Sequence, residues 1–226
     1  MAADWLVVHP PLLGPAVMAP LAAELRRRGA TVLRPDLRAT VSEAAGWPER
    51  WVAAAAAEGP ADGVVGFSGA GVTLPAIAAA VGARRIVWVD ALLPARSGVT
   101  VADDDIRARV AGMVRNGRIP DWTTWWGPDA LVDLVPDGRV RAAIEAEGHE
   151  LPGDFYDVAV PVPESWPEDG ARYVQLSAAY DDAAAEDRRR GWPVAGGPVM
   201  AHLDVANHPG RVADLLAEVA VRPGPR

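Results

Sequence analysis

The apolar residues of this chain fall into short continuous runs that alternate with stretches of helical spacing. Strands built around such runs are predicted at residues 5–8, 31–36, 63–67 and 85–90. Runs without polar alternation are typical of strands buried on both faces. Stretches with apolar residues three and four positions apart separate them, at residues 17–28, 47–58 and 72–81. This order of strands and helices predicts a parallel sheet covered by helices on both faces.

The alternation stops after the fourth run. Residues 91–169 contain no strong strand pattern, but they contain three helical patches at 103–115, 127–135 and 140–147. An insertion of this length inside a parallel sheet is typical of a lid or cap. We therefore expect one domain over residues 1–226, with a lid inserted at 97–168.

The sheet pattern returns near the C-terminus. Residues 172–177 predict a strand, a helix follows to residue 190, and residues 192–194 predict a short last strand. A final amphipathic helix is predicted at 209–219, and the tail 222–226 is expected to be disordered. The fold class is α/β, with a mostly parallel sheet of about six strands.

Composition narrows the class of protein. Half of the 226 residues are hydrophobic, the net charge is −8, and there is no Cys. A large core in one domain fits this length, the absence of a basic stripe argues against nucleic acid as a partner, and disulfides and thiolate chemistry are excluded. No run of about 18 apolar residues occurs, so no membrane span is expected. The four His residues form no metal-ligand pair at helical spacing; the one exception to consider is His202 with His208, which are six residues apart and off one helical face. We expect a soluble, cytoplasmic protein.

The third apolar run ends in a serine between small residues. Gly66-x-Ser68-x-Ala70 matches the nucleophile-elbow pattern G-x-S-x-G with Ala in place of its last Gly, and Gly71 follows. Such a corner exposes a serine hydroxyl because its neighbours have little side chain. A phosphate-binding loop built on Gly66, Gly69 and Gly71 is an alternative, although their spacing is not G-x-G-x-x-G. A plain turn is the third reading.

A nucleophilic serine needs a base and an acid that orients the base. In a parallel sheet these groups come from loops that follow the strands. His202 follows the last predicted strand and Asp181 follows the one before it, so we expect His202 as base and Asp181 as acid. A shift of one residue would exchange Asp181 for Asp182. Asp90, after the fourth strand, is more typical of a turn or cap residue.

The elbow, the long insertion and the order Ser, Asp, His together resemble the α/β-hydrolase family over essentially the whole chain. That family commonly shows its catalytic His in the form H-x-x-x-x-x-x-P-x-x-V, which His202, Pro209 and Val212 fit. His208 does not fit and is interpreted as a helix-entry residue. The resemblance implies an α/β-hydrolase fold in which Ser68 is the nucleophile.

The resemblance also implies an oxyanion hole. His9 occupies the position of the family's H-G turn, but Pro10 replaces the Gly. The amide of Gly69 is expected to be one donor. Since prolines have no N–H, Leu12 is the first candidate for the second donor. His9 itself is interpreted as structural.

Tryptophans are concentrated in the expected lid. We expect Trp122, Trp125 and Trp126, together with Leu13, to line an apolar substrate pocket, and packing between lid and sheet explains the same tryptophans equally well.

The expected function is hydrolysis of an ester or thioester through an acyl-enzyme on Ser68, with no metal or organic cofactor. A carrier-bound thioester would make the protein a thioesterase or a cyclase. The alternatives are a lyase, isomerase or ligand-binding role on the same fold, and a nucleotide-binding α/β protein. The substrate's identity and the oligomeric state are left open by the sequence.

Overall fold

The computed structural model describes residues 2–127 and 129–221. The expectation for the tail 222–226 therefore lies outside the described residues, as does Pro128 within the predicted helical patch 127–135. The strands are β1 (Ala3–Val8), β2 (Val32–Leu33), β3 (Ala61–Ser68), β4 (Arg85–Ala91), β5 (Val99–Thr100), β6 (Arg118–Ile119), β7 (Leu151–Pro152), β8 (Val160–Pro161), β9 (Ala171–Gln175) and β10 (Val194–Gly196).

Six of these strands form one sheet in the order β10-β9-β4-β3-β1-β2. Every neighbouring pair in it is parallel. The chain order reverses between β1 and β3, and loops that follow parallel strands meet at the carboxyl edge beside such a reversal. The expected sheet of about six mostly parallel strands is confirmed.

Helices cover both faces of this sheet. They are α1 (Ala19–Arg27), α2 (Trp47–Ala57), α3 (Leu74–Val81), α4 (Asp104–Met113), α5 (Ala130–Leu134), α6 (Gly138–Ala146), α7 (Asp181–Arg190), α8 (Asp204–Asn207) and α9 (Pro209–Val221). Two buried clusters lie against the sheet, one containing side chains of α2, α3 and α7, the other side chains of α1 and α9. In β1, Leu6 and Val8 belong to the first cluster and Trp5 and Val7 to the second, as the alternating directions of side chains in a strand require.

The connection between β4 and β9, residues 92–170, is called here the β4–β9 segment. It contains α4, α5 and α6 and two antiparallel pairs of two-residue strands, β5 with β8 and β6 with β7. The expected helical patches are present: α4 and α5 are shorter than predicted, and α6 begins two residues earlier and ends one residue earlier. None of the segment's described strands joins the main sheet.

Two elements differ from the sequence prediction. The strand expected at 31–36 is limited to Val32–Leu33, which pairs only with β1 at the edge of the sheet, before Pro35. The last strand begins two residues later than expected, because Pro193 has no N–H and contributes only its carbonyl, which accepts from the amide of Tyr173. Over the residues that the structure describes, no helix has the length and apolarity needed to cross a bilayer.

One carboxyl group of α7 is buried without a hydrogen-bond partner. The side chain of Asp187 is fully buried, and neither of its oxygens has a hydrogen-bond donor. Burial raises the pKa of this carboxyl from 3.8 to about 8. The unfolded chain releases the proton near pH 4, whereas the folded chain holds it to about pH 8. The free energy of unfolding therefore falls as pH rises through this window.

We expect Asp187→Asn to remove this loss. Between pH 5 and pH 9 the free energy of unfolding of the variant should gain roughly 2–4 kcal/mol relative to the parent. Urea denaturation at several pH values measures the difference. Asp182→Asn, an exposed change on the same helix, is the control and should follow the parent at every pH. Parallel curves for Asp187→Asn and the parent would contradict the assignment.

Candidate functional site

Strand β3 ends at Ser68 in a strained backbone conformation. Its φ is 53° and its ψ is −127°, a region that non-glycine residues rarely adopt. The Ser68 carbonyl accepts from the amide of Leu92, which ties the corner to the end of β4, and a 3-10 turn over Gly69–Thr73 leads into α3. The strained corner presents a half-buried serine side chain at the carboxyl edge of the sheet.

Glycines around this corner permit close packing. A Cβ on Gly66 would lie 2.5 Å from Leu74 Cδ2, and a Cβ on Gly71 would lie 2.9 Å from Trp88 Cδ1 as well as against the Leu92 carbonyl oxygen. Ala70, which replaces the last Gly of the elbow pattern, is itself fully buried in the core. The substitution is accommodated because the close backbone approach falls on Gly71.

Asp90, at the end of β4, is the carboxylate of the site. It is fully buried and has a φ of 43°. Its Oδ1 accepts from the amides of Leu176 and Ser177 at 2.9 and 3.1 Å. Its Oδ2 accepts from the Ser177 hydroxyl at 2.6 Å and lies 2.8 Å from His202 Nδ1. Four such contacts offset the cost of burying the carboxylate.

His202 lies between two aromatic rings. Its imidazole stacks on Phe67, the residue before Ser68, at 4.5 Å between ring centroids, and on Tyr180 at 5.0 Å. Because the Asp90 carboxylate is the acceptor, His202 Nδ1 donates, and the neutral ring then has its lone pair on Nε2. This is the tautomer that a general base requires.

The structure does not place Asp181, the acid expected from the sequence, beside His202. Asp181 does not contact His202, since its Oδ1 accepts from Gln175 Nε2 at 2.5 Å at the exposed start of α7. Asp182 is exposed as well. Strand β4 pairs directly with β9, so Asp90 comes close to the turn after β9, and it is Asp90 that holds His202.

The loop after β1 contacts the elbow. Pro11 faces Gly69, where an added Cβ would lie 3.4 Å from Pro11 Cδ. The buried His9 donates from Nδ1 to the Pro10 carbonyl at 3.0 Å and accepts at Nε2 from the Leu37 amide at 2.9 Å. Burial lowers the pKa of His9 to about 4, so the ring is neutral near pH 7. The structural interpretation of His9 agrees with these bonds.

The two expected oxyanion donors belong to these adjoining segments. Leu12 lies in the loop after β1 and Gly69 at the elbow, and neither amide donates to another group among the turn and loop hydrogen bonds of residues 2–127 and 129–221. Leu13, in contrast, donates its amide to the Pro10 carbonyl at 3.1 Å. Leu12 and Gly69 remain the predicted pair.

Hydrogen bonds from the β4–β9 segment hold the loop after β1 in place. Glu147 Oε2 accepts from the Ala16 amide at 2.6 Å, and His149 Nε2 donates to the Pro11 carbonyl at 2.8 Å. Arg38 Nη1 donates to the Glu147 carbonyl at 3.2 Å. Residues distant in sequence thus fix the loop that contains Leu12.

The tryptophans of the segment have three different environments. Trp122 is half-buried against the cluster that contains Leu13, and Trp125 packs against the other cluster while its Nε1 donates to the Pro120 carbonyl at 3.0 Å. Trp126 is 53% exposed and lies 4.9 Å from the Trp122 ring. Packing accounts for the first two, and the pocket-lining role of all three and of buried Leu13 stays a prediction.

A depression of about 400 Å³ opens next to these tryptophans. It is lined by Thr123, Thr124, Gly127, Leu131 and Glu145. All of its lining residues belong to the β4–β9 segment, and neither Ser68 nor His202 is among them. The described residues contain no group of three or more His, Asp or Glu side chains placed to hold a metal ion.

Sequence reasoning missed two residues of the site. Asp90 follows a strand, which made it visible as a candidate, but only the adjacency of β4 and β9 favours it over Asp181. Tyr180, whose hydroxyl lies 3.1 Å from Ser68 Oγ, carried no sequence signal beyond its position before Asp181.

Known proteins match this chain at the level of structure. No protein-family model matches the sequence. No curated protein matches it. Solved structures do match: a pyrethroid hydrolase from Sphingobium faniae JZ-2 has a TM-score of 0.69 at 16% identity, covering 99% of each chain. An extracellular α/β-hydrolase from a Paenibacillus species, described as a structural and functional homologue of tobacco salicylic acid binding protein 2, has a TM-score of 0.65 at 15% identity, covering 97% of this chain and 100% of its own.

A third match is tomato methylketone synthase I in complex with 2-tridecanone. Its TM-score is 0.65 at 14% identity, and the alignment covers 97% of this chain and 98% of the synthase. Identities this low carry the likeness of fold and no further assignment.

We expect Asp90→Asn to reduce the reactivity of Ser68 far more than Asp181→Asn. A fluorophosphonate probe, which phosphonylates activated serine hydroxyls, measures this reactivity as a labelling rate. Loss of the carboxylate that sets the tautomer of His202 should slow labelling by about 10³-fold or more. The Asp181→Asn control should change it by less than about 3-fold. The reverse order would restore Asp181 as the acid.

We also expect the loop after β1 to shift when His149, which bonds to the Pro11 carbonyl of that loop, is replaced. His149→Phe keeps a ring but deletes the bond to the Pro11 carbonyl, and it should slow labelling of Ser68 by roughly 10-fold, a fraction of the effect of losing an oxyanion donor. Arg139→Ala, an exposed change on α6 of the same β4–β9 segment, is the control. Equal rates for both variants and the parent would show that the His149 bond has no effect on the site.

Proposed function

We propose, for this chain with its α/β-hydrolase fold, that it is a serine hydrolase that cleaves a carboxylic ester or thioester through an acyl-enzyme on Ser68. The observation that carries the proposal is the contact of His202 Nδ1 with the buried Asp90 carboxylate at 2.8 Å. It leaves a basic Nε2 on a ring that stacks against Phe67, directly before the strained Ser68.

Acylation begins when Ser68 Oγ attacks the carbonyl carbon of the substrate and its proton passes to His202 Nε2. Asp90 stabilises the imidazolium that results. The amides of Gly69 and Leu12 donate to the developing oxyanion, which is commonly the largest single contribution to catalysis. The tetrahedral intermediate then collapses, and the alcohol or thiol leaves with the proton held by His202.

Deacylation repeats these steps with water. His202 removes a proton from water, the hydroxide oxygen attacks the acyl carbon, and the carboxylic acid leaves Ser68 as Oγ regains its proton. If an internal nucleophile of the acyl chain replaces water, the product is a ring. The residues at the site are compatible with either acceptor.

We propose an apolar or aromatic acyl group for the substrate. The β4–β9 segment, which we propose acts as a lid, contains Trp122, Trp125 and Trp126. The structural neighbours include a pyrethroid hydrolase and a synthase bound to 2-tridecanone, both of which handle largely apolar molecules. A small-molecule substrate, free or attached to a carrier, is therefore proposed.

A second candidate is non-hydrolytic chemistry or ligand binding on the same fold. Two observations favour it: one structural neighbour is a methylketone synthase, and Ser68 Oγ contacts Tyr180 and not His202. A fold alone does not fix a reaction. Ser68→Ala separates the two candidates, because only hydrolysis through an acyl-enzyme needs the hydroxyl.

We expect the parent protein to gain one phosphonyl group on Ser68, seen by intact mass and peptide mapping, and to hydrolyse short p-nitrophenyl esters. Ser68→Ala should gain none and lose ester hydrolysis by about 10³-fold or more, while it retains binding of an apolar ester. Thr73→Ser, a conservative change five residues on, is the matched control. Absence of labelling in the parent under conditions that label a reference hydrolase, or full activity of Ser68→Ala, would reject the proposal.

A further inference from the structure

The hydroxyl of Tyr180 is the side-chain partner of the proposed nucleophile. It lies 3.1 Å from Ser68 Oγ, and across residues 2–127 and 129–221 no other side chain hydrogen-bonds to that oxygen. His202 Nε2 has no such bond to Ser68. The proposed mechanism gives Ser68, His202 and Asp90 their tasks but leaves this phenol unused.

Tyr180 is fixed from two sides. Its ring stacks on His202 with an angle of 14° between the planes. It ends the turn Ala178–Tyr180 just before α7, where Asp181 binds the Gln175 side chain of β9. Asp181, which the sequence predicted as the acid, thus holds the turn that bears Tyr180 through its bond to Gln175.

The phenol is able to donate in this position, because either hydroxyl of the Tyr180–Ser68 pair can be the donor. Burial raises the pKa of Tyr180 to about 12, so it keeps its proton at neutral pH. If Tyr180 donates to a lone pair of Ser68 Oγ, the serine's own hydrogen stays free to pass to His202. The parallel stacking places the ring faces of Tyr180 and His202 against each other, so the phenol does not bridge the serine and the imidazole.

We propose that Tyr180 is a catalytic residue that donates a hydrogen bond to Ser68 Oγ when that oxygen leaves the acyl group in deacylation. The inference rests on the proposed function. During acylation the same bond draws electron density from the attacking oxygen and also stabilises its developing charge, so these effects oppose each other. In deacylation Oγ is the leaving atom, and the bond acts in one direction only.

The step balances without a new proton carrier. Water, deprotonated by His202, has added to the acyl carbon. The bond between that carbon and Ser68 Oγ breaks, its electron pair moves to Oγ, and the proton on His202 Nε2 transfers to Oγ. Tyr180 remains a phenol throughout, and its hydrogen bond is strongest while Oγ carries charge.

Tyr180→Phe tests the inference because it deletes only the hydroxyl and keeps the ring on His202. Stopped-flow hydrolysis of a p-nitrophenyl ester separates the acylation burst from the steady state. We expect the steady-state rate constant of Tyr180→Phe to fall about 10–100-fold, with a full burst and acyl-Ser68 accumulating in the intact mass. The labelling rate with fluorophosphonate should change by less than about 3-fold.

Two further variants keep the test decisive. Tyr156→Phe removes a half-buried phenol near Tyr180 that has no bond to Ser68, and it should leave both phases as in the parent. Tyr180→Leu removes the ring as well as the hydroxyl. If Tyr180→Phe deacylates at the parental rate while Tyr180→Leu does not, the residue acts through stacking on His202 and the proposal fails.

The outcomes also separate this inference from the proposed function. If the parent forms no acyl-Ser68, both are overturned. If the parent forms acyl-Ser68 and Tyr180→Phe hydrolyses its own acyl-Ser68 at the parental rate, the role of Tyr180 in deacylation is overturned. The same holds if the rates of acylation and deacylation in Tyr180→Phe fall equally.

Discussion

The contact between Asp90 and His202 is the interaction on which the site depends. The carboxyl oxygens of Asp90, buried at the end of β4, are satisfied by Leu176, Ser177 and His202. These donors come from the end of β9 and from the loop after β10, so the parallel pairing of β4, β9 and β10 is what brings the acid and the base together. This carboxylate in turn constrains the edge of the sheet, because it joins the end of β4, the residues after β9 and the loop after β10.

Two of the three non-glycine residues with positive φ in the described part of the chain are residues that the chemistry would use; the third is Asn116. Ser68 and Asp90 both have positive φ, with values of 53° and 43°, and they end adjacent strands. Each conformation costs on the order of 1–3 kcal/mol and persists only where its surroundings determine it. Here the surroundings are the close packing at Gly66 and Gly71, which excludes side chains, and the hydrogen bonds to Asp90. Packing of the core and orientation of the site are therefore parts of the same structure.

The sequence predicted what local pattern encodes. The apolar run before Ser68 and the small residues after it indicated a strand followed by a tight corner, and the spacing from His202 to Pro209 located the loop before α9. The edge strand was overestimated because the strand predicted at 31–36 included Arg34, Pro35 and Asp36, which lie beyond the two residues that pair with β1. Asp90 ends one strand and Asp181 follows another, and only the order of strands in the sheet decides between them. The contact of Tyr180 with Ser68 arises from tertiary packing alone.

The position of the acid has a consequence for how such a site can change. With the carboxylate on β4, the turn that follows β9 is released from the task of orienting the imidazole. That turn can exchange its residues while the proton-transfer pair remains intact, and it lies directly beside the nucleophile. In this architecture, substitutions in that turn can change the rate of turnover and leave the Asp90–His202 pair as it is. Directed evolution therefore has a short, well-defined stretch of backbone on which to act.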